Sequence, residues 1–359
     1  MSITKIGDEC TLVEVVTVNG VLPPGELGVT LCHEHVLIDL QCVLKIPILI
    51  SKMRLVDSPV TIEILADLKQ DPHVCRDNLL LSDIDEAIQE LMRFKMMGGK
   101  SIVDMTTPEI GRDPAALRAI AIATGLNIIC GTGWYLENSY PAHVKNGSVE
   151  ELSEIMVREL TEGIDETGIR AGVIGELGTG LELTENERKV MRAGARAQAK
   201  TGAPLTIHTW HPLPSVKEAN KYLDIIVKEG VDLSKVYLSH MDQTCADVEY
   251  HKSIIEKYDV VLSYDCFGFE TPCEGFCPGG THPSDTERVT AVVELLQAGY
   301  EKNLVLAQDV CMKTQRRKYG GYGYAHVLEN IARDLKHRGI SEKQIGAMLV
   351  DNPKRILAW

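Results

Sequence analysis

Two hydrophobic periods alternate along this chain. Short apolar runs bounded by Gly, Asn, Asp or Ser recur from residue 29 onward, and after most of them apolar residues return every three or four positions over a longer stretch. Runs of the first kind read as strands buried on both faces, and stretches of the second kind as helices with one face packed on them. The pattern predicts strands at 29–32, 101–105, 127–130, 171–174, 204–207, 235–239, 260–264 and 303–307. Helix starts are marked by Ser82 with Asp85, Asp113-Pro114, Ser148 with Glu151, Thr184 with Glu187, Ser215 with Glu218 and Ser284 with Glu287. Gly98, Gly125, Gly202, Gly230 and Gly299 mark stops. Further helices are expected at 246–258, 324–338 and 341–349.

Two stretches depart from this rhythm. Residues 10–28 read as a hairpin turning at Asn19-Gly20, and residues 41–81, with Pro47, Pro59 and Pro72, read as a long excursion after the first main strand. Eight strand–helix units at this length predict an α/β fold, a (β/α)8 TIM barrel over 28–359 with a short N-terminal β-hairpin extension over 1–27, in a single domain. A doubly wound sheet would need a glycine-rich phosphate loop, and Gly175, Gly178 and Gly180 do not make one.

Composition narrows the setting. An apolar content of 44% over 359 residues supports a large core, and no apolar run reaches membrane-spanning length. The first ten residues lack the apolar core of a signal peptide, and the ten cysteines are scattered, so a cytoplasmic protein with reduced thiols is expected. Cys273 and Cys277 lack a second pair that would complete a zinc site. The net charge of −14 argues against nucleic acid or anionic membrane as partners and leaves a small molecule, which responds to local charge. A homodimer stands as an open alternative to a monomer.

Chemistry in such a barrel sits at the C-terminal strand ends. The first strand runs into His33-Glu34-His35, and alternate residues on a strand face the same way, so the two imidazoles form a metal pincer. Later strands end in Glu176, His208, His240 and Asp309. Six ligand-type residues at five strand ends exceed the needs of one zinc and suit two divalent metals sharing a carboxylate, with Glu176 as the bridge. The other histidines fall in loops or helices, with His211 the one expected nearest the site.

This ordered set resembles the amidohydrolase superfamily, and more closely the phosphotriesterase family and its phosphotriesterase-related, resiniferatoxin-binding-like branch. The resemblance also covers Thr30-Leu-Cys-His-Glu-His35, Gly172-Val-Ile-Gly-Glu176, Leu183-Thr-Glu-Asn-Glu-Arg188, Ser239-His-Met-Asp242, Lys318-Tyr-Gly-Gly-Tyr-Gly-Tyr324 and Asp351-Asn-Pro-Lys-Arg355. It implies that His33, His35 and Asp309 bind one metal, that His208 and His240 bind the other, and that Glu176 bridges where many relatives use a carboxylated lysine. Two divalent ions are expected as cofactors, with zinc the expected identity. Gln308, before the aspartate, and the segment 310–314 depart from relatives.

The expected reaction is attack by a metal-activated hydroxide, with Asp309 as the catalytic proton acceptor. A lactone or carboxylic ester, such as a phosphorylated sugar lactone, leads as substrate. An N-acyl amide with an anionic tail and an organophosphate triester are the alternatives. A ligand-binding protein on the same fold is the non-enzyme alternative. Tyr135, Asp265, Arg288, Lys313 and Arg316 are the expected substrate-binding residues, the cations holding an anionic group on the substrate. Trp134 precedes Tyr135 in the same loop.

Overall fold

The computed structural model describes residues 13–209, 217–271 and 281–359. Val15–Thr17 (β1) and Gly20–Leu22 (β2) pair as the expected hairpin, with Gly20 at a φ of +114° that a side chain would resist. Thr30–Glu34 (β3) opens the main sheet. Ile38–Asp39 (β4) and Leu80–Leu81 (β5) pair antiparallel and pinch the two ends of the excursion together. Ser101–Asp104 (β6), Asn127–Thr132 (β7), Val173–Leu177 (β8), Leu205–His208 (β9), Val236–Ser239 (β10), Val261–Tyr264 (β11) and Leu304–Leu306 (β12) complete a parallel sheet. Its order runs from β3 through β6 in sequence to β12. Between its ends, Asp309 N donates to His33 O at 3.3 Å, bringing the last strand beside the first in a nearly closed barrel.

One core residue from each of seven barrel strands packs inward: Cys32, Val103, Ile129, Val173, Tyr237, Val261 and Val305. Val15 and Leu27 from the hairpin region and Ile356, Leu357 and Ala358 from the tail join this interior cluster. A backbone pair between Glu14 and Trp359 ties hairpin and tail together. A larger cluster packs the opposite faces of the strands against the surrounding helices.

Reciprocal capping boxes start the helices Val149–Thr161, Glu185–Thr201 and Asp285–Gln297 at Ser148, Thr184 and Ser284, as their spacing predicts. The start expected at Ser82 is corrected: Asp83 caps Ile84–Met96, because its carboxylate, three residues before Glu86, accepts from Glu86 N. Ser215 lies outside the described residues, and the helix there covers Ala219–Val227. The last helical run does not stop at Leu349 but continues through a π-turn, Ala347–Asp351, into Asn352–Leu357. The excursion is more organised than its prolines suggest. It folds a small core of Leu55, Val60, Ile64, Leu68, Val74 and Cys75 and leaves Ile48 and Ile50 projecting at 99% and 89% exposure. The described cysteines are free thiols, and no described helix is long and apolar enough to cross a membrane.

Candidate metal centre

The six residues at the strand ends converge. His33 sits at the end of β3, where pairing with β6 shifts register between Leu31 and Glu34. Its Nδ1 meets Ser239 Oγ at 2.9 Å and Asp265 Oδ2 at 3.2 Å. Its Nε2 lies 3.5 Å from Glu176 and 3.6 Å from Asp309, buried and without a hydrogen-bond partner. His35 Nδ1 meets Thr106 Oγ1 at 3.0 Å, and that hydroxyl donates to Leu37 O. With its proton so committed, the hydroxyl can only accept from the ring. Nδ1 therefore carries a hydrogen, and Nε2 is the nitrogen that faces Asp309 Oδ1, 3.3 Å away, and Glu176 Oε1, 3.5 Å away.

The second group forms on the other side of Glu176. His240 Nδ1 lies 2.9 Å from Asp265 Oδ1, which leaves Nε2 facing inward, 3.6 Å from Glu176 Oε2. His208 presents the opposite nitrogen: its Nδ1 is 2.8 Å from both Glu176 Oε2 and His240 Nε2. Glu176 thus spans the two groups, with Oε1 toward His35 and Oε2 toward His33, His208 and His240. His240 and Asp309 both adopt left-handed backbone, at φ of +59° and +51°, an uncommon conformation for residues other than glycine.

The electrostatics call for positive charge. Burial opposes ionisation of Glu176, yet His208 and His33 hold it well below the usual carboxylate range. Burial likewise disfavours protonated His35, but its hydrogen bonds to Asp309 and Glu176 raise it to about 10. His240 is driven up by Asp265 against the same burial. His35 and His240 are drawn toward protonation by carboxylates while burial drives His208 the other way, and divalent cations would satisfy all of these groups together. An orphaned nitrogen on His33 and mixed imidazole–carboxylate donors fit such ions.

The expected substrate residues divide. Tyr135 is buried, with its ring 4.9 Å from that of His208, edge to face. Trp134 stands beside His143 instead. Asp265 is corrected from substrate contact to support: it is fully buried and orients His33 and His240. Arg288 is corrected too. Its guanidinium is buried and committed to Asp242 at 2.6 Å, Asp285 at 3.2 Å and Phe269 O at 2.9 Å. Arg316 is equally enclosed, binding Glu86 and Val36 O at 2.8 Å each, and Lys313 pairs with Asp77 at 2.6 Å. A buried guanidinium has to find carboxylates, and these cations have found them within the fold. His211 lies outside the described residues. Gln308 is buried, its amide nitrogen 3.4 Å from Gly323 O.

Sequence reasoning passed over three contributors. Thr106 and Ser239 orient the histidines of β3. Glu34 reaches across to the end of β12. The available signal for Glu34 was its place inside a wholly buried strand, where a carboxylate must find donors.

The sequence profile of the phosphotriesterase family matches residues 13–357. An N-acetyltaurine hydrolase from Tetraodon nigroviridis is 38% identical over 347 residues, covering 96% of this chain and 98% of the relative. A resiniferatoxin-binding protein from Rhodobacter sphaeroides has a structure superposing with a TM-score of 0.91 at 36% identity, covering 96% of this chain and 94% of that one. A mutant PTE-like lactonase from Deinococcus radiodurans superposes with a TM-score of 0.74 at 29% identity, covering 96% and 99%.

Proposed function

The chain belongs to the phosphotriesterase family, and from that membership we propose that it is a binuclear metal-dependent hydrolase whose substrate is an N-acyl amide. The observation that carries the reading is the convergence of His33, His35, His208, His240 and Asp309 around one buried carboxylate, Glu176. When bound, two divalent ions of the zinc class would activate water and polarise the scissile carbonyl. His33, His35 and Asp309 would hold one ion, His208 and His240 the other, with Glu176 between them.

The chain's own residues supply the rest. Asp309 keeps 15% of its side chain accessible while His33, His35 and Glu176 keep 3% or less, so it is the carboxylate placed to take a proton from water and return it to the leaving amine. Tyr135, Leu136, Phe269, Cys311 and Met312 cluster with Leu40 and Val43 as an apolar wall that excludes water. Among the described residues, Arg288, Lys313, Arg316, Arg317 and Lys318 all carry carboxylate partners, so the amide reading does not depend on them to grip an anionic tail. Ranking the amide above the ester reverses the order expected from the sequence, and the near-full-length similarity to N-acetyltaurine hydrolase supports that reversal. The apolar wall and the lactonase-like neighbour favour an aliphatic lactone as the second reading.

Metal analysis followed by turnover assays tests the proposal. Purified protein should carry close to two zinc-class ions per chain and hydrolyse N-acetyltaurine or a close N-acyl analogue with a higher kcat/KM than an aliphatic lactone or an organophosphate triester. One ion per chain defeats the binuclear reading, and a lactone preference of tenfold or more replaces the amide with the ester.

A further inference from the structure

Between His33 and His35, at the last position of β3, stands Glu34, a residue outside the set of six metal-ligand candidates. It is fully buried, and its two carboxylate oxygens are spoken for across the seam of the barrel. Oε1 accepts from Gln308 N at 2.8 Å and Oε2 from Val310 N at 2.9 Å. The amide between them, Asp309 N, donates to His33 O at 3.3 Å. Three successive backbone N–H groups of the segment carrying Asp309 are thus gathered onto two successive residues of β3. Neighbouring N–H groups on an extended strand point to opposite sides. Gln308 and Val310 are alternate residues, so both their N–H groups meet the Glu34 carboxylate while Asp309 N turns to His33 O. The result is a carboxylate clamping the backbone on both sides of Asp309, whose φ is +51°.

We propose that Glu34 is the positioning residue for Asp309: it holds the aspartate in its left-handed conformation, aims the carboxylate at His33 and His35, and sets the metal affinity of that half of the centre. The inference rests on reading Asp309 as a metal ligand. Glu34 makes no hydrogen bond to Glu176, His208 or His240, so its influence falls on one of the two metal positions. In the His33-Glu34-His35 motif the outer residues are donors to the metal, and the middle residue places the ligand that arrives last in the chain.

The test compares the parent with Glu34→Gln and Asp309→Asn. Glutamine keeps the shape but turns an N–H group toward a backbone N–H, losing one of the two bonds. Apoprotein is titrated with Co²⁺, following visible absorbance and heat. Hydrogen exchange is read over a peptide covering 304–312, and far-UV circular dichroism checks the fold. Glu34→Gln should bind one Co²⁺ with parental affinity and the second at least tenfold more weakly, with an altered d–d spectrum and faster exchange in the 304–312 peptide. A residue serving the fold alone would weaken both positions together. Equal weakening, or two parental affinities, overturns the proposal. Asp309→Asn separates the premise: if it also keeps both affinities, Asp309 is not a ligand and both readings fall. If it loses one metal while Glu34→Gln loses none, only the positioning role fails.

Discussion

At the scale of single residues, burial decides what a charged group can do. Glu109 follows β6, and its Oε1 accepts the backbone N–H of Tyr135 while its Oε2 is buried without a partner. Burial raises it from 4.5 to about 7, against the Tyr135 N–H, the Thr107 side chain and nearby Arg112. A carboxyl whose folded value is raised contributes most below its unfolded value and loses that contribution as pH rises through the folded one. Glu109→Gln keeps an acceptor for Tyr135 and removes the titration. It should match the parent near pH 4.5, gain on it between pH 4.5 and 7, and lead by about 3 kcal/mol at pH 8 in urea unfolding. A constant gap across that range would show that Glu109 ionises freely. The metal-ligand candidates were legible in the sequence because each ends an apolar run, a place where a histidine or carboxylate stands out. The partners of Arg288 and Arg316 were not. Asp242 is 46 residues from Arg288 and Glu86 is 230 from Arg316, and a count of cations near a strand end carries no information about carboxylates that far away.

At the scale of elements, reciprocal capping was the most readable signal. Thr184 accepts from Glu187 N while Glu187 answers to Thr184 N, starting the helix Glu185–Thr201 that packs over β8. Thr184→Ala should cost about 1 kcal/mol in urea unfolding without changing metal content, the usual effect of a lost cap. A larger loss accompanied by metal release would mean that this cap also supports the nearby site loops. Strand ends were less readable. β8 runs to Leu177, three residues beyond its expected end at 174, so Glu176 lies inside a strand rather than after one. The difference has a local cause: Gly175 has a φ of +138°, and a Cβ there would press on Thr206. Glycine breaks the apolar run in the sequence, and the ladder shifts register there but resumes at Leu177. The excursion over 41–81 is present as expected, but its small core was not readable because it is built from widely spaced residues with no single period.

At the scale of the whole molecule, the eightfold strand–helix rhythm revealed the barrel, while its closure depends on contacts between distant segments that periodicity cannot show. The tail is an example. Leu357 is fully buried in the interior cluster at the hairpin end of the barrel, so Leu357→Ala should destabilise the protein by about 2–5 kcal/mol, the range for a buried leucine lost from a core. Urea unfolding measures it, and a loss under about 1 kcal/mol would mean that the tail covers the barrel without packing into it. Closure at the other end has a consequence in time. The bond from Val310 to Glu34 spans 276 residues of sequence, so at the usual 5–20 residues per second of synthesis the two partners leave the ribosome roughly 15–55 s apart. Throughout that interval the histidine pincer exists without the aspartate that completes it. A metal caught early would meet two imidazoles, and even after Glu176, His208 and His240 have emerged the first position lacks the carboxylate that Asp309 adds with the last strand. In a nascent chain, metal retention is therefore a clock for barrel closure: chains arrested before residue 309 should release Co²⁺ to a chelator that full-length chains resist.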